Sequence, residues 1–279
     1  MLHLVPFFFS STRLVYLLSS LFFLAFAKAQ SQQAPLKVVT KLVADSFYGV
    51  DDFNHIYSSK NNVFYKYQAG ARNEKPVQQF YDVQLGELYN VDLINPLKIL
   101  LFYKDTQTVV LLDNRLNESL RIDLSSLSPY RYFDHAALAG ERRLWLFNTD
   151  ADRVELYDYS LNKLILSTPA IKQDALKMLT DYNFCHIVTP SGIVSYNNYG
   201  SKVGQMQQTG ITLADLDFDQ LVTYSTDDFL SFTFNATKGL EKTEPKWKID
   251  QQDMPQSLYL KNGKLYIYSL NQLSVYTTQ

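Results

Sequence analysis

One short pattern recurs six times along the chain: an apolar, aromatic-rich strand, a polar turn, and a second strand of the same character. The copies are HIYSSKNNVFYKY (55 to 67), LLFYKDTQTVVLLD (100 to 113), LWLFNTDADRVELYD (144 to 158), HIVTPSGIVSYN (186 to 197), LVTYSTDDFLSFT (221 to 233) and LYIYSLNQLSVYT (265 to 277). Runs of β-branched and aromatic residues separated by Asn, Asp, Ser, Thr or Gly are the local signature of a hairpin. Aligned on the residue that opens the second strand (Val63, Val109, Val154, Ile193, Phe229 and Leu273), the copies lie 46, 45, 39, 36 and 44 residues apart, a mean of 42.

A period near 42 leaves room for four strands per unit, whereas a helical repeat of that length would show a 3.6-residue apolar rhythm that is missing here. Strand-like segments precede the hairpins: FYGVD (47 to 51), LYNVD (88 to 92), RYFDH (131 to 135), ITLAD (211 to 215) and SLYL (257 to 260). Others follow them: VQQFYDV (77 to 83), SLRIDL (119 to 124), KLILST (163 to 168) and KWKID (246 to 250). The pattern predicts an all-β chain, a six-bladed β-propeller of four-stranded blades. The last hairpin ends two residues before the C-terminus, so the sixth blade lacks an outer strand of its own. The β-type run LKVVTKLV, residues 36 to 43, is otherwise unemployed; joining it to the last blade closes the ring and leaves no open edge. Leu36, Val38 and Leu42 are the side chains expected to be buried by that closure.

The first 29 residues read as a secretory signal: Arg13, an apolar run from Leu14 to Ala27, and the small-residue pattern Ala27, Lys28, Ala29. A 14-residue run is short of the roughly 20 needed to span a bilayer. The expected organisation is a signal peptide over 1–29, a short linker over 30–35 and one propeller domain over 36–279, with no membrane span once the signal is removed. Lys plus Arg number 26 against 28 Asp plus Glu, a net charge of −2, so there is no general positive field for a nucleic acid. The single cysteine, Cys185, excludes a disulfide framework within the chain.

Units such as NVDLINPLKILLFYKDTQTVVLLDNRLN (90 to 117) resemble the six-bladed propellers of the broad NHL and YncE-like kind, and the resemblance covers nearly all of the chain after the signal. Neither the Gly-His and Trp-Asp pairs of WD40 units nor the kelch double glycine occurs. The Tyr, Asn, Lys and Asp usage is similar to that of small secreted Bacteroidetes-type proteins. A likeness to six-bladed lactonases and esterases would imply a calcium ion in the channel and a hydrolytic reaction there.

Acidic residues recur between innermost and second strands, with Asp52, Asp92, Asp134, Asp181 and Asp217 as candidates for the channel end. Carboxylates gathered there could hold a hard cation such as calcium or raise one another's pKa. The competing explanation is that Asp recurs because it builds turns, and repeated blades repeat their turns. His55, His135 and His186 fall in three different blades, and neither G-x-S-x-G nor H-E-x-x-H occurs. Cys185 and His186 are neighbours on a strand and therefore point to opposite faces. Asn117 and Asn235 match the glycosylation acceptor pattern. The tyrosines and phenylalanines fall mostly on strands, where packing between blades employs them, and Tyr also suits a protein- or sugar-binding face. The sequence therefore favours an exported, non-catalytic propeller that acts as a protein-interaction module in the cell envelope, in the periplasm, at the outer membrane or secreted, with an envelope or secreted protein as partner and no cofactor. A calcium-dependent lactonase- or esterase-like hydrolase and a carbohydrate-binding module are the alternatives.

Overall fold

The computed structural model describes residues 37–68, 75–225, 228–244, 247, 249 and 254–277. The expected signal peptide and linker lie outside these residues, as does Leu36. Twenty-four strands, numbered in chain order, make six antiparallel sheets of four. Blade one holds β2 (Ser46–Val50), β3 (Ile56–Lys60), β4 (Val63–Tyr67) and β5 (Gln78–Phe80). Blade two holds β6 (Asn90–Asp92), β7 (Ile99–Tyr103), β8 (Thr108–Leu112) and β9 (Glu118–Asp123). Blade three holds β10 (Phe133–Leu138), β11 (Arg143–Asn148), β12 (Arg153–Asp158) and β13 (Lys163–Ser167). Blade four holds β14 (Lys177–Thr180), β15 (Phe184–Thr189), β16 (Gly192–Asn197) and β17 (Lys202–Gln207). Blade five holds β18 (Ile211–Asp217), β19 (Gln220–Ser225), β20 (Asp228–Asn235) and β21 (Gly239–Thr243). Blade six holds β22 (Ser257–Lys261), β23 (Lys264–Ser269), β24 (Gln272–Thr277) and, from the other end of the chain, β1 (Lys37–Lys41). The innermost strands touch in the cycle β2, β6, β10, β14, β18, β22 and back to β2, so the sheets form a closed ring. This is the six-bladed β-propeller that the repeat predicts.

Burial explains why the hairpins are so legible. The middle strands of a blade face a neighbouring blade on both sides, and in β7 and β8 every residue is buried. Such strands read as continuous apolar runs rather than alternating ones. Outer strands border solvent, and β9, β13 and β17 are largely exposed or half-buried. Two-residue turns close several hairpins. Asn61 and Asn62, Asn262 and Gly263, and Leu270 and Asn271 all have positive φ, the mirror-image turn that matches strand twist.

One expected strand is misplaced. The outer strand of blade five is β21, not residues 246–250, because a short turn after Asn235 brings Gly239 directly opposite it. Within 246–250 only Trp247 and Ile249 are described, and Trp247 is buried in the core between blades five and six. Its apolar character serves packing rather than a sheet edge.

The closing strand pairs as expected, from Lys37 opposite Tyr276 to Lys41 opposite Gln272. The expectation that Val38 is buried there fails: its exposure is 49%, as is that of Val39, because β1 is the outermost strand of its blade. Leu42, just past the strand, is only 2% exposed and packs with Phe47, Val50, Tyr268 and Leu273. At the same seam the Tyr268 hydroxyl donates to the Ala44 carbonyl at 2.6 Å.

Candidate functional site

Period-2 alternation turns every second residue of an innermost strand toward the ring axis. The six strands thereby enclose a cavity of about 590 Å³, to which every blade contributes. Among its lining residues are five carboxylates, Asp52, Asp92, Asp181, Asp215 and Asp217, and two ammonium groups, Lys177 and Lys261. Both cations are already held. Lys261 Nζ lies 2.9 Å from Asp52, and Lys177 Nζ donates to the Ala214 carbonyl at 2.7 Å and stands 3.4 Å from Asp215.

Four of the five acids singled out from the sequence, Asp52, Asp92, Asp181 and Asp217, line this cavity. Asp134 is not among the lining residues and pairs with Lys104 of blade two. Several of these acids bind backbone. Asp92 accepts from the Ile94 N–H at 2.9 Å and from the Leu138 N–H of the next blade at 2.7 Å. Asp215 accepts from Leu260 N–H at 2.7 Å and Asp217 from Asn262 N–H at 2.6 Å, both again on the next blade. Asp181 accepts from Asn183 and Phe184 N–H within its own turn. The acids therefore act as turn caps and as latches between neighbouring blades. Among the described residues, no three His, Cys, Asp or Glu side chains converge closely enough to hold a metal ion.

Desolvation sets the electrostatics of the channel. Burial raises the carboxyls of Asp92, Asp215 and Asp217, with backbone N–H donors and, for the last two, a lysine pulling the other way. The Tyr259 hydroxyl is pushed well above its usual value by burial, and then by the surrounding carboxylates. The Tyr259 ring packs against Gly49 so closely that a Cβ there would meet it at 2.5 Å, and Gly49 has φ +141°.

The three histidines do different things. His135 lies on β10 in the channel wall, 6% exposed, with its imidazole lowered to about 4 by burial. Its Nδ1 makes no hydrogen bond and stands 3.9 Å from Asp134. His186 is the third residue of β15; it is fully buried against Phe234, bonds Ser195 at 2.8 Å and is also lowered to about 4 by burial. That Ser-His pair has no route to a substrate, since both residues are sealed between blades. His55 precedes β3 and bonds Asp51 at 2.9 Å. Cys185 faces away from His186 into the core between blades three and four, with its thiol raised by burial. Asn117 and Asn235 are exposed and hold turns, at Asp113 and at Thr237 respectively.

The first turn of each blade opens at the end where the innermost strands finish, and exposed apolar side chains stand there. Phe53 (64% exposed), Leu97 (64%), Tyr182 (38%) and Phe218 (76%) stand on four of the six turns. Phe218 also has φ +54°, a conformation that costs a bulky residue energy.

No protein-family model matches this sequence, and no curated protein matches it. Solved structures match in shape. The WD40 repeats of RRP9 align with a TM-score of 0.61 at 9% identity, over 88% of this chain and 99% of that one. A chain of the Mitotic Checkpoint Complex aligns at 0.61 and 9%, over 90% and 94%. PorZ of Porphyromonas gingivalis, a surface component of the type-IX secretion system, aligns at 0.48 and 11%, over 84% of this chain but 32% of its own. This chain thus spans about a third of PorZ. At such identities the likeness is one of fold. Among the described residues no helix is long and apolar enough to cross a membrane.

Sequence reasoning missed Asn90, Lys177, Asp215's latch, Ser257, Tyr259 and Lys261 as channel residues. Strand alternation was the available signal, but short innermost strands such as β6 and β14 give too few positions to fix a phase.

Proposed function

We propose that this propeller is a protein-interaction module exported to the cell envelope, and that it docks its partner over the end where the first turns of the blades meet. One observation carries the reading: Phe53, Leu97, Tyr182 and Phe218 are exposed on the first turns of four of the six blades, at one end of the acid-lined channel. Apolar groups clustered on a surface mark interaction sites, whereas the same groups scattered singly do not. Aromatic side chains dominate the energetics of such interfaces. Export is supported by Arg13, the apolar run to Ala27 and the small residues before Gln30.

The test is cross-linking in envelope extracts with the wild type and with Phe53→Ser/Leu97→Ser/Tyr182→Ser/Phe218→Ser. The expected result is one partner captured by the wild type and lost by a variant that melts normally. Equal capture by both places the interface elsewhere. N-terminal sequencing of the exported product is expected to begin at Gln30; an intact N-terminus removes the signal reading.

A further inference from the structure

We propose that the channel itself binds a small organic cation, a primary amine or guanidinium on a short apolar stem, independently of any protein docked at its rim. Two separate features of the wall point there. First, carboxylates outnumber ammonium groups, and Asp92, Asp181 and Asp217 accept hydrogen bonds only from backbone N–H groups, with Lys261, bound to Asp52, reaching Asp217 only at longer range. Second, the wall holds buried polar atoms with no hydrogen-bond partner: His135 Nδ1, Asn90 Oδ1 and Ser257 Oγ. His135 is 6% exposed and lines the cavity. Asn90 spends its amide N–H on the Ala136 carbonyl at 3.1 Å, which leaves its oxygen as an acceptor. Burial keeps the His135 ring neutral at pH 7, and a neutral imidazole has one accepting nitrogen.

The unmet groups are thus predominantly acceptors, and leaving them unmet is costly in a desolvated site. The complementary ligand carries several N–H donors and a positive charge, which ammonium and guanidinium groups do. Tyr89, edge-on to His135 at 5.8 Å, and the Tyr259 ring supply aromatic surface for a short hydrocarbon stem. A cavity of about 590 Å³ is the size that holds small molecules. A bare divalent ion fits less well, since calcium takes 6–8 oxygens at close range and the described carboxylates do not converge.

Titration calorimetry on the full chain with agmatine, 1,4-diaminobutane, neutral 1,4-butanediol and calcium chloride tests this. The amines are expected to bind one per chain and the diol not at all. Asp181→Asn/Asp217→Asn retains the oxygens that accept the backbone N–H groups and removes two charges; it is expected to weaken amine binding at least about tenfold, that is about 1.4 kcal/mol. Ser257→Ala touches no carboxylate and is expected to weaken it about threefold. Absence of amine binding at millimolar concentration, equal binding of the diol, displacement of the amine by calcium, or unchanged affinity in both variants would each overturn the proposal. Loss of partner capture by Phe53→Ser/Leu97→Ser/Tyr182→Ser, which leaves the cavity lining untouched, with amine binding intact separates this site from the rim.

Discussion

The seam between blades two and three and the seam between blades six and one do the same job with different chemistry. The first has a hydrocarbon centre, where Leu100, Phe102, Leu111, Leu144 and Leu146 pack with nearly no exposure, and polar edges, where Asp92 accepts from Leu138 N–H, Gln107 accepts from Phe133 N–H and Lys104 pairs with Asp134, between blades that are covalently consecutive. The second joins the two ends of the chain and is built on tyrosines. Tyr67, Tyr266 and Tyr268 pack with Leu42, Phe47 and Leu273, while a hydroxyl bond to Ala44 and an ion pair from Lys261 to Asp52 cross the join. Apolar packing is non-directional and tolerates sliding, whereas hydrogen bonds fix geometry. Both seams carry directional bonds; what sets the closing one apart is that its core is lined with tyrosines and that β1 must find its register without a covalent guide.

The sharpest way to break this contrast is to remove residues 30–41, which takes β1 away and leaves β24 as an open edge. Loss of the cooperative thermal transition in calorimetry is expected; a normal melt would show that the ring is closed without the strand. Next in size, Leu146→Ala at the apolar seam is expected to cost about 2–5 kcal/mol in urea unfolding, from lost burial and the cavity left behind. Val38→Ala on the exposed face of β1 is the paired control and should stay within about 0.5 kcal/mol.

Acid probes both histidines that folding strips of water. His135 and His186 titrate near 4 in the folded chain against an ordinary value of 6.5. Their contribution is complete above about pH 6.5 and drains away as pH falls toward 4, because the unfolded chain binds those protons first. Asp92, Asp215 and Asp217, raised by burial, work in the opposite sense. Urea midpoints at pH 7, 5.5 and 4.5 are expected to lose less between pH 7 and 4.5 in His186→Gln than in the wild type; the same pH dependence in both would contradict the burial of that ring.

Two smaller changes sharpen the comparison at the closing seam. Gly49→Ala drives a methyl into the Tyr259 ring at an unfavourable φ, with an expected cost of about 1–3 kcal/mol. Tyr268→Phe removes one hydroxyl and its bond to Ala44, with an expected cost of about 1 kcal/mol. If Tyr268→Phe proves neutral, the hydroxyl does not contribute to closure.

The fold was legible because the strands that identify it are those buried on both faces, so the hairpins from Ile56–Tyr67 to Lys264–Thr277 stand out as apolar runs. Outer strands carry no such signal: β17, KVGQMQ, is polar because it borders solvent, and Trp247 drew attention to a segment that is not the sheet edge. In the channel the acids were visible as residue types but their work was not. The hydrogen bond from Leu138 N–H to Asp92 crosses 46 positions, and that from Leu260 N–H to Asp215 crosses 45, roughly one blade. A turn-forming Asp and an inter-blade latch look the same in a string of letters. His135 and Asp134 are neighbours in sequence, yet the register of β10 shifts between Phe133 and His135, and Asp134 pairs with Lys104 while His135 lines the cavity.

Closure through β1 also has a temporal side. Tyr268 and Ala44 are 224 residues apart, and the partner of the first strand is the last hairpin of the chain. Every other blade can assemble from neighbours in sequence, but this pairing waits until β24 has been made, and contacts so distant are slow to form. A chain in which β1 and β24 have not yet paired is therefore an unfinished arc with two sticky margins, and the interval before they meet is when it is most open to misassembly.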